Sequence, residues 1–141
     1  VTLVHDGFNG TWTAEPNSVA VARRAVVEWL RDAETKDPPL GEIEVAISEA
    51  VTNAVVHAYL DADPGEVRVR ADLLAEEVQL VVEDDGRGML PRTDSPGLGL
   101  GLPLIATLAD RFDAETVPGG GTRLSMWFRR DPPGRPGARL L

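Results

Sequence analysis

Three polar side chains stand four residues apart in a segment that otherwise reads as buried helix. They are Glu49, Asn53 and His57, within Ser48-Glu49-Ala50-Val51-Thr52-Asn53-Ala54-Val55-Val56-His57-Ala58-Tyr59. On an α-helix this spacing stacks a carboxylate, an amide and an imidazole in one slanting stripe. Ile43, Ile47, Ala50, Val51, Ala54 and Val55 supply an apolar side to the same helix. A carboxylate or amide beside such a surface costs several kcal/mol, roughly, unless it finds a partner. The stripe therefore predicts a partner for Glu49 and Asn53, a metal or ligand among the candidates; for Glu49 the other reading is a structural carboxylate holding a neighbouring helix or an arginine. For His57, near the helix end, a capping or packing role is the plainer reading.

Two glycine motifs could complete a site. Asp84-Asp85-Gly86-Arg87-Gly88 follows a run of strand character. It reads either as an ordinary turn, since aspartate and glycine are turn residues, or as a carboxylate aimed into a pocket. In the second case Asp84 accepts a hydrogen bond from the exocyclic amine of a base, a purine being the natural candidate, and the glycines let backbone approach the ligand. Gly97-Leu98-Gly99-Leu100-Gly101-Leu102 precedes a helical pattern through Leu104, Ile105, Leu108 and Ala109. It is a flexible loop or an anion site, because free N–H groups and the positive end of the dipole converge at a helix start. Gly119-Gly120-Gly121-Thr122 is explained as well by a plain hairpin loop.

The elements that must position these residues follow from periodicity. A short β-run over Phe8–Thr13 ends at Glu15-Pro16; Asn17 or Ser18 then caps an amphipathic helix with Val19, Ala22, Val26, Trp29, Leu30 and Ala33 on one side. Lys36-Asp37-Pro38-Pro39-Leu40-Gly41 breaks it. The stripe helix runs from about Glu42 to Tyr59, and Asp61–Gly65 is a turn. Glu66–Leu73 alternates with period two and pairs as a hairpin with Val78–Asp84 through Ala75–Glu77. Met89–Pro96 is a polar loop, Phe112–Val117 and Thr122–Arg129 are strands joined by a Pro118–Gly121 turn, and 131–141 reads as a disordered tail or linker. Residues 1–130 thus read as one domain of mixed helices and strands, α+β.

Composition narrows the function. The 141 residues, 43% hydrophobic, suffice for one core. There is no cysteine, no apolar run of membrane-spanning length and no signal-peptide pattern, which fits a cytoplasmic protein without a membrane partner. A net charge of -9 argues against general nucleic-acid binding. Lys36, the sole lysine, lies in a proline-flanked linker, so no Walker-type phosphate loop is available. Val1 in place of methionine fits a piece of a longer protein.

The order of these motifs, a Glu-x-x-x-Asn helix, a strand ending Asp-x-Gly-x-Gly, a glycine run opening a helix and Gly-Thr before a last strand, resembles the N, G1, G2 and G3 boxes of the Bergerat-fold, histidine-kinase-like ATPases. Within that superfamily the phrase Ser48–Tyr59 looks most like the bacterial anti-sigma-factor serine kinases. The resemblance covers roughly residues 12 to 129. It implies a two-layer α/β sandwich, with helices on one face of a mixed, mostly antiparallel sheet, that binds ATP and Mg²⁺. Asn53 would hold the metal, Glu49 would be the general base, and Asp84 would read the adenine amine. Gly86 and Gly88 would open the pocket, Thr122 would help through ordered water, and Gly97, Gly99 and Gly101 would face the phosphates. The implied activity is phosphorylation of a serine on a small anti-anti-sigma (STAS-type) partner, with sequestration of a sigma factor; the family is often dimeric, which allows a homodimer. One departure stands out: the lid segment Met89–Pro96 is short and carries two prolines, so it reaches little over a triphosphate. That departure and the Val1 start keep a second reading open, a weakly catalytic ATP-binding or sequestering module of a multidomain phosphatase regulator.

Overall fold

The computed structural model describes residues 3–33, 38–58, 63–86 and 98–130. In chain order these form β1 (Leu3–Thr13), α1 (Pro16–Asp32), α2 (Leu40–Asn53) continued by a π-helical turn (Ala54–Ala58), β2 (Glu66–Leu74), β3 (Glu77–Asp84), α3 (Leu98–Leu108), β4 (Arg111–Thr116) and β5 (Thr122–Arg129). The tail 131–141, the loop Met89–Pro96, Tyr59, Gly88 and Gly97 lie outside the described residues.

The strands make one five-stranded sheet in the order β1-β2-β3-β5-β4. Every pairing is antiparallel, so the described sheet lacks the parallel component that a mixed sheet would carry. The reason is topological. β3 and β4 are joined by a helical crossover and run parallel, as such connections require, but β5 returns by a hairpin and inserts between them. The α+β architecture is otherwise as expected.

Strand alternation divides the sheet into two faces. Val67, Val69, Ala71 and Leu73 of β2, Val78, Leu80 and Val82 of β3, and Leu124, Met126 and Phe128 of β5 are buried in one cluster with Ala22, Val26 and Leu30 of α1, Ile43, Ile47 and Val51 of α2, and Ile105 of α3. The helices therefore cover this face. Phe8 and Trp12 of β1 reach it too; Phe8 packs on Trp12 and Trp29 with ring centroids 6.4 and 6.1 Å apart, tying the edge strand to α1.

Three local features differ from expectation. β1 begins at Leu3 rather than Phe8, and register shifts between Leu3 and His5 and between His5 and Phe8 break the alternation that would have revealed it. α1 is capped by Glu15, without a side-chain capping bond, and not by Asn17 or Ser18. Pro16 takes the first helical position, where a fixed φ and a missing N–H suit the helix. Ser18 is buried one turn further in, and its hydroxyl donates to the Thr13 carbonyl. Finally, α-helical bonding in α2 stops at Asn53, and the next turn is π.

Candidate functional site

The π turn changes what the stripe means. Glu49 and Asn53 share an α-helical face, both half-buried. In a π turn the hydrogen bonds close five residues apart, so the α-helical bonding that joins Glu49 to Asn53 does not carry on to position 57. Among the described residues Glu49 enters no ion pair, and Arg23 Nη1 donates to Ser48 Oγ at 3.1 Å.

Asp84 is the last paired residue of β3 and faces the helical side, only 3% exposed. Burial pushes its carboxyl above the usual carboxylate range, Asp85 beside it pushes the same way, and the backbone N–H groups of Gly86 and Thr122 and the charge of Arg68 oppose both. The Gly86 N–H donates to Asp84 Oδ1 at 2.9 Å. Thr122, also 3% exposed, sits across from Asp84 in the β3–β5 register. Asp84 is the one buried carboxylate among the described residues. The carboxylate thus makes the two-residue hydrogen bond of an Asx turn while lying buried at the strand end.

Two glycines allow this junction to close. A Cβ on Gly86 would overlap the Ala58 carbonyl, so the end of the π turn rests directly on the backbone after β3. Gly121 has φ +93°, in the left-handed region, and a Cβ there would overlap the Asp84 carbonyl. The hairpin loop Gly119–Gly121 is thus both a turn and a wall of the junction. That second role is invisible in a loop of glycines; only the pairing of Asp84 with Thr122 discloses it.

α3 starts at Leu98 and packs on α2 through the buried Ile105. Gly99 and Gly101 lie inside its first turns rather than in a preceding loop. First-turn N–H groups have no partner within a helix, and Pro103 leaves the Gly99 carbonyl without its usual donor as well. The described residues contain no cluster of three or more His, Cys, Asp or Glu that could hold a metal alone. One amide oxygen at Asn53 suits a hard cation that keeps waters and takes its other ligands from a phosphate ester, as Mg²⁺ does. A groove of about 310 Å³ lies elsewhere, between α1 and α2, lined by Arg23, Arg24, Arg31, Glu28 and Glu44; it contains none of these residues.

Similarity to known proteins agrees with this geometry. The histidine kinase-like ATPase domain family matches residues 12–128. An anti-sigma F factor of Clostridium novyi is 30% identical over 116 residues, 74% of this chain and 81% of that protein. Blue-light-activated histidine kinase 2 of Erythrobacter litoralis is 38% identical over 105 residues, 70% of this chain but 30% of that protein. The crystal structure of the RsbU and RsbW domains of a Mycobacterium tuberculosis protein has a TM-score of 0.68 at 26% identity, covering 91% of this chain and 34% of that one. The family match spans all four motifs, and the anti-sigma F factor aligns over most of its own length. The chain belongs to the histidine kinase-like ATPase domain family, and within it stands with the anti-sigma factors.

Proposed function

We propose that the chain binds ATP where α2, the end of β3 and the start of α3 meet, and transfers its γ-phosphoryl group to a serine hydroxyl of a small anti-anti-sigma (STAS-type) partner. It sequesters a sigma factor in the cytoplasm when that partner is absent. The observation that carries this reading is Glu49 held half-buried one turn before Asn53 on the same α-helical face, with no ion pair to Glu49 among the described residues. Asp84 accepts the adenine amine through the carboxylate oxygen not used by Gly86, with Thr122 beside it. The first-turn N–H groups at Gly99 face the phosphates. Glu49 takes the proton of the attacking serine as the new P–O bond forms and ADP leaves. Such a base contributes about 10²- to 10⁴-fold. Asn53 offers its amide oxygen to Mg²⁺, which when bound would neutralise phosphate charge.

Mixing the protein with Mg²⁺, labelled ATP and candidate partner domains tests the assignment. Transfer to a partner serine is expected. Glu49→Ala should lower the transfer rate by about 10²- to 10⁴-fold while ATP affinity stays within a few-fold. Saturable ATP binding without transfer to any partner would remove the kinase reading.

A further inference from the structure

The sheet face away from the helices carries a row of charges one residue removed from the Asp84–Thr122 row. Arg68 of β2 is opposite Glu83 of β3, Glu83 is opposite Arg123 of β5, and Arg123 is opposite Glu115 of β4. Each step is an ion pair: Arg68 Nη2 to Glu83 at 3.7 Å, Arg123 Nε to Glu83 at 3.2 Å and Arg123 Nη1 to Glu115 at 2.8 Å. Arg68 does more. Its guanidinium grips Asp85 with both arms, Nη1 to Oδ2 at 2.8 Å and Nη2 to Oδ1 at 2.9 Å.

Asp85 lies beyond the last rungs of the ladder, which are Val67–Asp84 on one side and Asp84–Thr122 on the other. Glu83, Asp84 and Asp85 are three consecutive carboxylates at a strand end, and their mutual repulsion favours splaying that end. Arg68 forms ion pairs with the outer two, while on the middle one its charge acts only from a distance, lowering the carboxyl. Because side chains alternate across a sheet, pinning residues 83 and 85 to the helix-free face turns residue 84 toward the helices.

We propose that Arg68 is a positioning residue for base recognition: by holding Asp85 and Glu83 on the outer face it fixes the direction of the Asp84 carboxylate on the opposite face. This rests on Asp84 reading the adenine amine. Arg68 does not touch the nucleotide; it sits behind the strand. Its fork is bidentate, and an ammonium cannot reproduce it.

The experiment measures ATP and ITP affinities with Mg²⁺ for the wild-type chain, Arg68→Gln, Arg68→Lys, Asp85→Asn, Asp84→Asn and the control Arg70→Gln, which lies on the same strand and face. ITP has an oxygen where ATP has the amine, so it reports everything except the Asp84 contact. Arg68→Gln should weaken ATP by about 3- to 5-fold and leave ITP within about twofold, because exposed pairs are worth roughly 1 kcal/mol or less and this one acts on a single contact. Arg68→Lys should recover only part of the loss. Adding Asp85→Asn to Arg68→Gln should cost less than the two separate effects combined, since both break one pair. Arg70→Gln should change neither nucleotide.

Equal losses of ATP and ITP in Arg68→Gln, or no loss of ATP, would overturn the positioning role while Asp84→Asn still collapses the ATP preference. An unchanged ATP/ITP ratio in Asp84→Asn would remove base reading by Asp84 and the positioning role with it.

Discussion

At the scale of single residues, Asp84 is the point of greatest tension. It is a carboxylate buried on the core side of a sheet, and burial outweighs its hydrogen bonds, so its carboxyl titrates above the ordinary value. The linkage has a definite sign. A folded-state value raised above the unfolded one means the native state holds the proton more tightly, so acidification through that window favours the fold as far as Asp84 is concerned. The acceptor for an amine is lost in the same window. Asp85 is the opposite case: the Arg68 hydrogen bond lowers its carboxyl, so the stability it contributes is present at neutral pH and is lost as pH falls through its lowered value. ATP binding should therefore fail at a higher pH than unfolding begins, as a titration of binding alongside circular dichroism would show; simultaneous loss would contradict it. Glu49, Asn53 and Asp84 were legible as candidates from type and spacing, and Thr122 only through the resemblance. Arg68 and Asp85 were not, because seventeen positions separate them and only the β2–β3 register brings them together.

At the scale of elements, the π turn and the two glycines decide whether the motifs meet. α2 could be read from its periodicity, but a sequence of alanines and valines after Asn53 gives no sign that the hydrogen bonding widens there. The widened turn ends at Ala58, whose carbonyl occupies the space beside Gly86. Gly121, in the left-handed region, brings the β4–β5 loop onto the Asp84 backbone. Gly86→Ala and Gly121→Ala should each destabilise the fold, Gly121→Ala by about 1–3 kcal/mol from backbone strain alone and by more from the overlap. Thermal melts check the stability, and ATP affinity should fall in parallel because both substitutions displace the strand end. α3 is the element least supported by its own sequence: two glycines and a proline within its first six residues oppose helix formation. Its packing on α2 through Ile105 holds it.

At the scale of the whole molecule, one core serves both the fold and the site, since α2 and β3 contribute to each. A ligand that binds only where these elements are assembled must stabilise the entire domain. ATP with Mg²⁺ at about 100 times its dissociation constant should add roughly 2.7 kcal/mol to the unfolding free energy. Asn53→Ala should abolish the magnesium-dependent part of that gain while leaving the unliganded melt within a few degrees, the side chain being only half-buried. Differential scanning calorimetry with and without Mg²⁺ separates the two. No helix among the described residues is long and apolar enough to cross a membrane.

The sequence by itself determined the class of fold, nearly all strand and helix positions, and the residue types available for nucleotide chemistry, because alternation, helical spacing and glycine–aspartate turns are local signals that burial enforces along the chain. The tertiary structure alone decided that the sheet is antiparallel throughout its described pairings and that α-helical bonding stops at Asn53, with a π turn after it. It also decided that a hairpin glycine walls the Asp84 junction and that an arginine on the outer face grips the neighbour of the inward carboxylate. Those outcomes depend on which strand inserts between which, on cross-strand register and on backbones in direct contact, and none of these is a property of neighbouring residues in the chain.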